Sequence, residues 1–170
     1  MPQTKTIKKI VEKIFLSKGL KLKHSKLCAE ALINAELVGA PSHGLSRLKM
    51  YCERLDKKVI NNNPKIKVRK ISGSIAHINA DNAIGFVAAQ LGIDLAIKNA
   101  KKNGISLVAI KNSGHYGLSG YYAEQAAKKN LIALCFTNAP PAIAPHGAKK
   151  TLFGTNPICF AAPTGSKIPF

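Results

Sequence analysis

The segment at residues 39–47, GAPSHGLSR, places His43 and Arg47 four positions apart between two helical patterns. Its proline disfavours helix at the residue before it and its second glycine relaxes the backbone, so Ser42 and His43 are expected in a tight break where side chains can be aimed at a ligand. Arg47 is expected in the first turn of the next helix. A guanidinium beside a group that titrates near neutrality suits a substrate with a carboxylate next to the atom that gains or loses a proton. The structural alternative is a histidine that caps a helix or lies on the surface.

A second histidine, His115, lies in a glycine-rich segment at residues 112–122, NSGHYGLSGYY. An apolar run precedes it at residues 105–110 and a helical pattern follows at 118–129, which predicts strand, loop and helix. A further apolar run at residues 131–137 predicts a β-α-β unit with parallel strands and a right-handed crossover. Ligands of open α/β sheets bind beyond the carboxyl ends of the strands, where this loop is expected. Its glycine spacing, G-x-x-G-x-x-G, matches neither the dinucleotide fingerprint nor a phosphate loop.

Residues 154–157, GTNP, come directly before an apolar run, and an Asn-Pro pair in this position is typical of a turn that leads into a strand. The Asn156 amide could contact a ligand, or it could satisfy the backbone of its own turn. The residues alone favour the structural role.

Taken together, these segments resemble the malate/L-lactate dehydrogenase family, a group of NAD(P)-dependent oxidoreductases distinct from the Rossmann-type lactate and malate dehydrogenases. The resemblance is carried in family order by residues 42–47 with Tyr51, 112–117 with 120–123, 137–138, and 154–157 with 162–163. The chain departs from the family at Pro41, where members often have a polar residue, and at Gly147-Ala148, where they often have two glycines. The first departure could alter substrate choice.

The resemblance implies hydride transfer between NAD or NADP and the carbon next to a carboxylate, as between a malate- or lactate-type 2-hydroxy acid and its 2-oxo acid. It implies that Arg47 binds the carboxylate and that His43 or His115 exchanges the proton, the choice between them remaining open. Ser42 would orient His43 or the substrate. The candidate cofactor contacts are Asn138, Thr155 and Asn156. The expected partners are a small carboxylate substrate and a second copy of the chain in a homodimer.

The predicted fold is α/β, with a helical substrate-side segment at residues 1–63 and the N-terminal part of a non-Rossmann nicotinamide-binding domain at 64–170. Apolar periodicity predicts three helices between about residues 4 and 58, with Ser25 as the N-cap of the second. The remaining predicted elements are a strand at 66–71, a partner strand at 74–79 and a helix at 84–102 closed by Gly104.

The net charge of +18 invites comparison with nucleic-acid-binding proteins. Only three of the basic residues are arginine, however, and the lysines are spread along the chain in pairs, which indicates solvated surfaces and no nucleic-acid partner. The four cysteines are widely spaced, so reduced thiols and no metal site are expected. No apolar run approaches the ~20 residues of a membrane span, and we expect a soluble, cytoplasmic protein.

Members of the family are about twice as long, so we expect the chain to be the N-terminal half of an enzyme. Two alternatives remain. A basic, non-catalytic nucleic-acid-binding module would bind duplexes with a steep salt dependence. An inactive truncated remnant of the dehydrogenase would fold poorly or associate through exposed apolar surface.

Overall fold

The computed structural model describes residues 2–166 and 169–170. The chain forms two compact units, Met1–Tyr121 and Tyr122–Phe170. No helix in the described part of the chain is both long enough and apolar enough to cross a membrane. The boundary predicted at residue 63 stays a prediction.

Three helices open the first unit, as the apolar periodicity predicts: α1 (Pro2–Ser17), α2 (Leu22–Leu37) and α3 (Leu48–Asp56). Their apolar faces meet in one core with the start of the next helix. The fully buried members of that core include Phe15, Cys28, Leu32, Tyr51 and Phe86.

The prediction that Ser25 caps α2 is wrong. The helix begins one turn earlier, with Lys21 at the N-cap and no side-chain cap. Ser25 is buried inside the first turn, and its hydroxyl donates to the carbonyl of Lys21 at 3.2 Å. A serine hydroxyl can satisfy itself in this way on the carbonyl four residues back, so a polar residue at the start of an apolar stripe does not by itself mark a cap.

A three-stranded mixed sheet follows, with strands β1 (Lys67–Lys70), β2 (Ile75–Ala83) and β3 (Leu107–Ser113) in that order. β1 pairs antiparallel with β2, whereas β2 pairs parallel with β3. The parallel pair is joined by α4 (Gly85–Asn103), since parallel strands need a crossover connection. Gly104 ends α4 with a φ of +82°, which confirms its predicted role as a C-terminal cap.

The β-α-β unit predicted around His115 is not formed as expected. Its helix α5 (Gly120–Ala127) and its second strand β4 (Ala133–Phe136) are present. However, β4 pairs antiparallel with β5 (Ile158–Ala161) in a separate two-stranded sheet. The parallel unit of this fold is β2-α4-β3, because an apolar run identifies a strand but not the strand with which it pairs.

The β4–β5 sheet exposes large apolar side chains on one face. Its register places Leu134 opposite Phe160 and Phe136 opposite Ile158, and alternation along each strand puts all four on the same side. These four side chains are 46–71% exposed, whereas Ala133 and Ala161, one of the two register pairs on the opposite face, are buried. A monomeric surface rarely leaves so many large apolar groups together in water.

The first residue of α4, Gly85, brings that helix against the loop that carries His115. A Cβ at Gly85 would overlap the backbone carbonyl oxygens of Gly114 and His115. The same loop is fixed a second time at Gly117, which has a φ of +78° and leaves no room for a side chain beside the Phe86 ring.

We predict that Gly85→Ala destabilises the first unit by about 1–3 kcal/mol and displaces the His115 loop, because the added methyl group meets backbone atoms that cannot rotate away. Gly114→Ala is the matched control, since a Cβ there has no neighbour within 4 Å. Urea unfolding curves of the two variants make the comparison. Equal midpoints for Gly85→Ala and Gly114→Ala would contradict this interpretation.

Candidate active site

Two successive 3-10 turns, Pro41–His43 and Leu45–Arg47, form the predicted break between α2 and α3. Arg47 is the last residue of the second turn and the N-cap of α3, so it lies just outside the helix in which it was expected. This difference has little effect on where the Arg47 side chain lies relative to His43. Arg47 still follows His43 by four residues, and both side chains are half-buried.

A carboxylate from α2 holds this loop in place. Glu36 accepts a hydrogen bond from the Leu45 amide at 2.6 Å, a charge-assisted bond that satisfies a free amide at the start of the second turn. The same carboxylate lies where a Cβ of the buried Gly44 would be, so a side chain at that position would have to displace it. Ser46 closes the first turn by donating to the Pro41 carbonyl at 2.6 Å.

Arg47 is oriented by the loop. Its Nε donates to the Ser42 carbonyl at 2.7 Å. The ion pairs in the described part of the chain do not include it. A half-buried guanidinium held by one backbone bond keeps its two terminal nitrogens for an anion, and a carboxylate fits that pair of donors.

The two candidate histidines lie beside each other. The His43 and His115 rings are stacked with centroids 5.8 Å apart and planes inclined by 25°. The Ser42 hydroxyl lies 3.0 Å from His43 Nδ1, so Ser42 is placed to orient that ring. The structure therefore brings Ser42, His43, Arg47 and His115 into one cluster within the first unit.

His115 is held by Tyr51 of α3 and by the backbone of its own loop. The Tyr51 hydroxyl lies 2.6 Å from His115 Nδ1, and the Gly117 amide donates to the same nitrogen at 3.2 Å. Burial, and to a smaller extent positive charge on His43, Arg47 and Arg54, lower the pKa of His115 to about 4. His115 is therefore neutral at pH 7.

The other candidates lie in the second unit, where two loops meet. Asn156 Oδ1 accepts a hydrogen bond from the Ala139 amide at 2.8 Å, which ties the loop before β5 to the loop after β4. Asn138 and Thr155 are exposed next to this contact. The carbonyl oxygen of the Asn156 amide thus has a structural role, although it bonds a separate loop and not its own turn, and its NH₂ group remains a donor.

Among residues 2–166 and 169–170, no group of three or more histidine, cysteine or acidic side chains could hold a metal ion. All four cysteines are free thiols. Cys28 is buried, while Cys135 and Cys159 face each other across β4 and β5.

Sequence reasoning missed three residues that shape the site. In the sequence, Tyr51 belongs to the family pattern and to the apolar stripe of the third helix, Glu36 has no distinguishing context, and Gly85 lies within a predicted helix. Tyr51 carried a usable signal, because it follows Arg47 by four residues and so shares its helical face. Glu36 and Gly85 act through contacts with residues distant in the chain, for which no local pattern exists.

We predict that the chain loses stability as the pH falls from about 6.5 to about 4, the interval between the usual pKa of histidine and that of His115. In this interval the unfolded chain binds a proton that the folded chain does not, so acid favours unfolding. His24, whose pKa is also lowered, contributes in the same direction. Replacing His115 with Gln should flatten the decline in urea midpoint between pH 7 and roughly pH 4.5. The exposed His146→Gln variant is the control, and an identical decline in both variants would argue against the assignment.

Comparison with known proteins identifies the family of the chain. A model of the malate/L-lactate dehydrogenase family matches residues 3–170. Malate dehydrogenase from Pyrococcus abyssi is 41% identical over 160 residues, which cover 94% of this chain and 44% of that protein. Ureidoglycolate dehydrogenase (NAD(+)) from Escherichia coli O157:H7 is 37% identical over 158 residues, covering 93% of this chain and 45% of that protein.

The fold agrees as well. The structure of malate dehydrogenase from Pyrococcus horikoshii OT3 superimposes with a TM-score of 0.93 at 38% identity and covers 98% of this chain but 48% of that one. Relatives in this group are named as NAD(+)- or NADP(+)-dependent dehydrogenases. The chain spans about half the length of the relatives it matches. On the combined strength of the family match and the shared fold, this chain belongs to the malate/L-lactate dehydrogenase family.

Proposed function

We propose that this chain is part of an NAD(P)-dependent dehydrogenase that interconverts a small 2-hydroxy acid and its 2-oxo acid. The observation that carries the proposal is the guanidinium of Arg47, which the Ser42 carbonyl orients and which pairs with no acidic side chain of the described residues, next to two histidine rings 5.8 Å apart. An anion-binding group beside groups that exchange protons suits a carboxylate next to a hydroxyl or carbonyl carbon. The dehydrogenase names of the relatives support the same reaction class.

The side chains of the cluster divide this work between them. Arg47 binds the substrate carboxylate through its two terminal nitrogens, which fixes the reacting carbon relative to the histidines. Ser42 orients His43. One of the two histidines donates a proton to the carbonyl oxygen on reduction and removes it on oxidation.

The two histidines differ in how well each suits the transfer of this proton. His115 is neutral at pH 7 in the free protein, so it begins as a proton acceptor or a neutral hydrogen-bond donor. A bound carboxylate would raise its pKa by supplying the negative charge that its surroundings lack. His43 is placed closer in the chain to Arg47 and remains our first candidate for the acid that starts reduction.

The cofactor candidates fit a polar ligand. Asn138 and Thr155 are exposed on two loops that the Asn156 amide joins, and the NH₂ group of Asn156 can donate to a ligand. When bound, NAD or NADP accepts or supplies the hydride. A homodimer and a cytoplasmic location remain predictions.

The reaction class is tested by turnover. This chain, combined with a C-terminal half from a relative, should oxidise NADH or NADPH in the presence of at least one small 2-oxo acid. A panel that includes pyruvate and oxaloacetate, followed at the nicotinamide absorbance, makes the measurement. No turnover of any member by a well-folded complex would contradict the assignment and favour an inactive remnant.

In that complex we predict that Arg47→Lys lowers kcat/KM by roughly ten- to a thousandfold, mainly through KM, because lysine keeps the charge but loses the paired donors. Arg69→Lys, an exposed substitution on β1, is the matched control and should change kcat/KM little. An unchanged kcat/KM in Arg47→Lys would place the carboxylate elsewhere.

A separate prediction distinguishes the histidines. Reduction requires a protonated acid, so its rate should decline as the pH rises through the pKa of that acid, and oxidation should show the opposite limb. Replacing the acid with Asn should abolish the limb and lower kcat by about 10² to 10⁴. We expect this of His43→Asn. If His115→Asn loses the limb instead, the two roles are reversed, and if both variants keep it, neither histidine transfers the proton.

A further inference from the structure

Two hydrogen-bonding groups converge on one ring nitrogen of His115. The Tyr51 hydroxyl lies 2.6 Å from Nδ1, and the Gly117 amide nitrogen lies 3.2 Å from it. An imidazole nitrogen has a single site in the ring plane, which holds either a proton or a lone pair. The two contacts therefore fix which form His115 takes.

The Gly117 amide decides between the protonated and the unprotonated form of Nδ1. A backbone N–H can only donate, so the Gly117 contact requires a lone pair on Nδ1. The Tyr51 hydroxyl can donate or accept, and with a lone pair opposite it, it donates. The proton of neutral His115 is then on Nε2, since the hydrogen bond made by one ring nitrogen sets the state of the other.

The surrounding core holds the Tyr51 side chain in place, so its hydroxyl stays beside His115 Nδ1. Its side chain is 0% exposed, and its ring packs against Phe86 and Phe15 with centroids 4.9 and 6.5 Å away. His115 Nδ1 is the hydroxyl's partner within residues 2–166 and 169–170. Burial raises the pKa of Tyr51, so the hydroxyl keeps the proton that it donates.

We propose that Tyr51 is a positioning residue which, together with the Gly117 amide, holds His115 as the neutral tautomer protonated on Nε2 and leaves Nε2 as the atom that contacts the substrate oxygen. The contact with the substrate oxygen rests on the proposed function. The assignment of the tautomer is independent of the proposed function. The charged and titratable groups near the ring, His43, Arg47 and Arg54, all disfavour a second proton on it, so the neutral form is the one that Tyr51 orients.

The tautomer can be measured directly in the isolated chain. Long-range proton–nitrogen NMR spectra of the ¹⁵N-histidine-labelled protein at pH 7 distinguish a protonated from an unprotonated ring nitrogen, and His115→Gln assigns the signals. We expect Nδ1 to be unprotonated and Nε2 protonated. A wild-type spectrum with the proton on Nδ1 would overturn the proposal.

Tyr51→Phe tests the role of the hydroxyl, because it keeps the packed ring and removes one donor. We expect the ratio of the two tautomers to shift by roughly two- to tenfold toward protonated Nδ1, the effect of losing one ordinary hydrogen bond. Tyr116→Phe is the control, since it removes a hydroxyl of the same loop that bonds Ser119. An unchanged ratio in Tyr51→Phe would show that Tyr51 does not set the tautomer.

One further measurement covers a Tyr51→Phe variant that fails to fold. In the wild-type protein the Tyr51 hydroxyl proton should be protected from exchange and should correlate with His115 Nδ1. Absence of this correlation would overturn the proposal. None of these spectra involves substrate or cofactor, so a negative turnover assay would leave the tautomer result standing, and a failed tautomer test would leave the reaction class untouched.

Discussion

The contact between the Tyr51 hydroxyl and His115 Nδ1 connects residues that are 64 positions apart, and the geometry of the site depends on it. Tyr51 belongs to the helical core, whereas His115 belongs to the loop after β3. The core fixes Tyr51 through the rings of Phe15 and Phe86, and the start of α4 fixes the His115 loop through the absence of a side chain at Gly85. Packing of apolar side chains thus determines where a polar group of the site is held.

Electrostatics gives the cluster its preference for an anion. Arg47 forms no ion pair within residues 2–166 and 169–170, and burial together with positive neighbours keeps His115 neutral. A carboxylate supplies the charge that this arrangement lacks, which makes binding and protonation mutually favourable. The net charge of +18 favours anions in general at longer range.

Local patterns in the sequence predicted most elements because apolar periodicity reports which side of a helix or strand is buried. The first three helices, the β1–β2 hairpin and the glycine that ends α4 followed in this way. Pairing partners did not follow, and β4 was assigned to the wrong neighbour. Periodicity carries no information on which strands meet across a loop of some twenty residues, here between Phe136 and Ile158. The grouping of His43 with Arg47 was predictable from their spacing, whereas the approach of Tyr51 and Gly85 to the second histidine required the folded chain.

The chain covers about half of its relatives, and the β4–β5 sheet exposes four large apolar side chains on one face. The first unit nevertheless contains the whole Ser42, His43, Arg47 and His115 cluster, so the claim that this cluster binds a 2-oxo acid can be tested at the atomic level. The most direct measurement is a crystal structure of the chain, complemented with a C-terminal half from a relative, in the presence of oxamate, an unreactive analogue of pyruvate. We predict that the oxamate carboxylate forms two hydrogen bonds with the Arg47 guanidinium and that its carbonyl oxygen lies within hydrogen-bonding distance of His43 or His115. A carboxylate bound away from Arg47 would contradict this prediction.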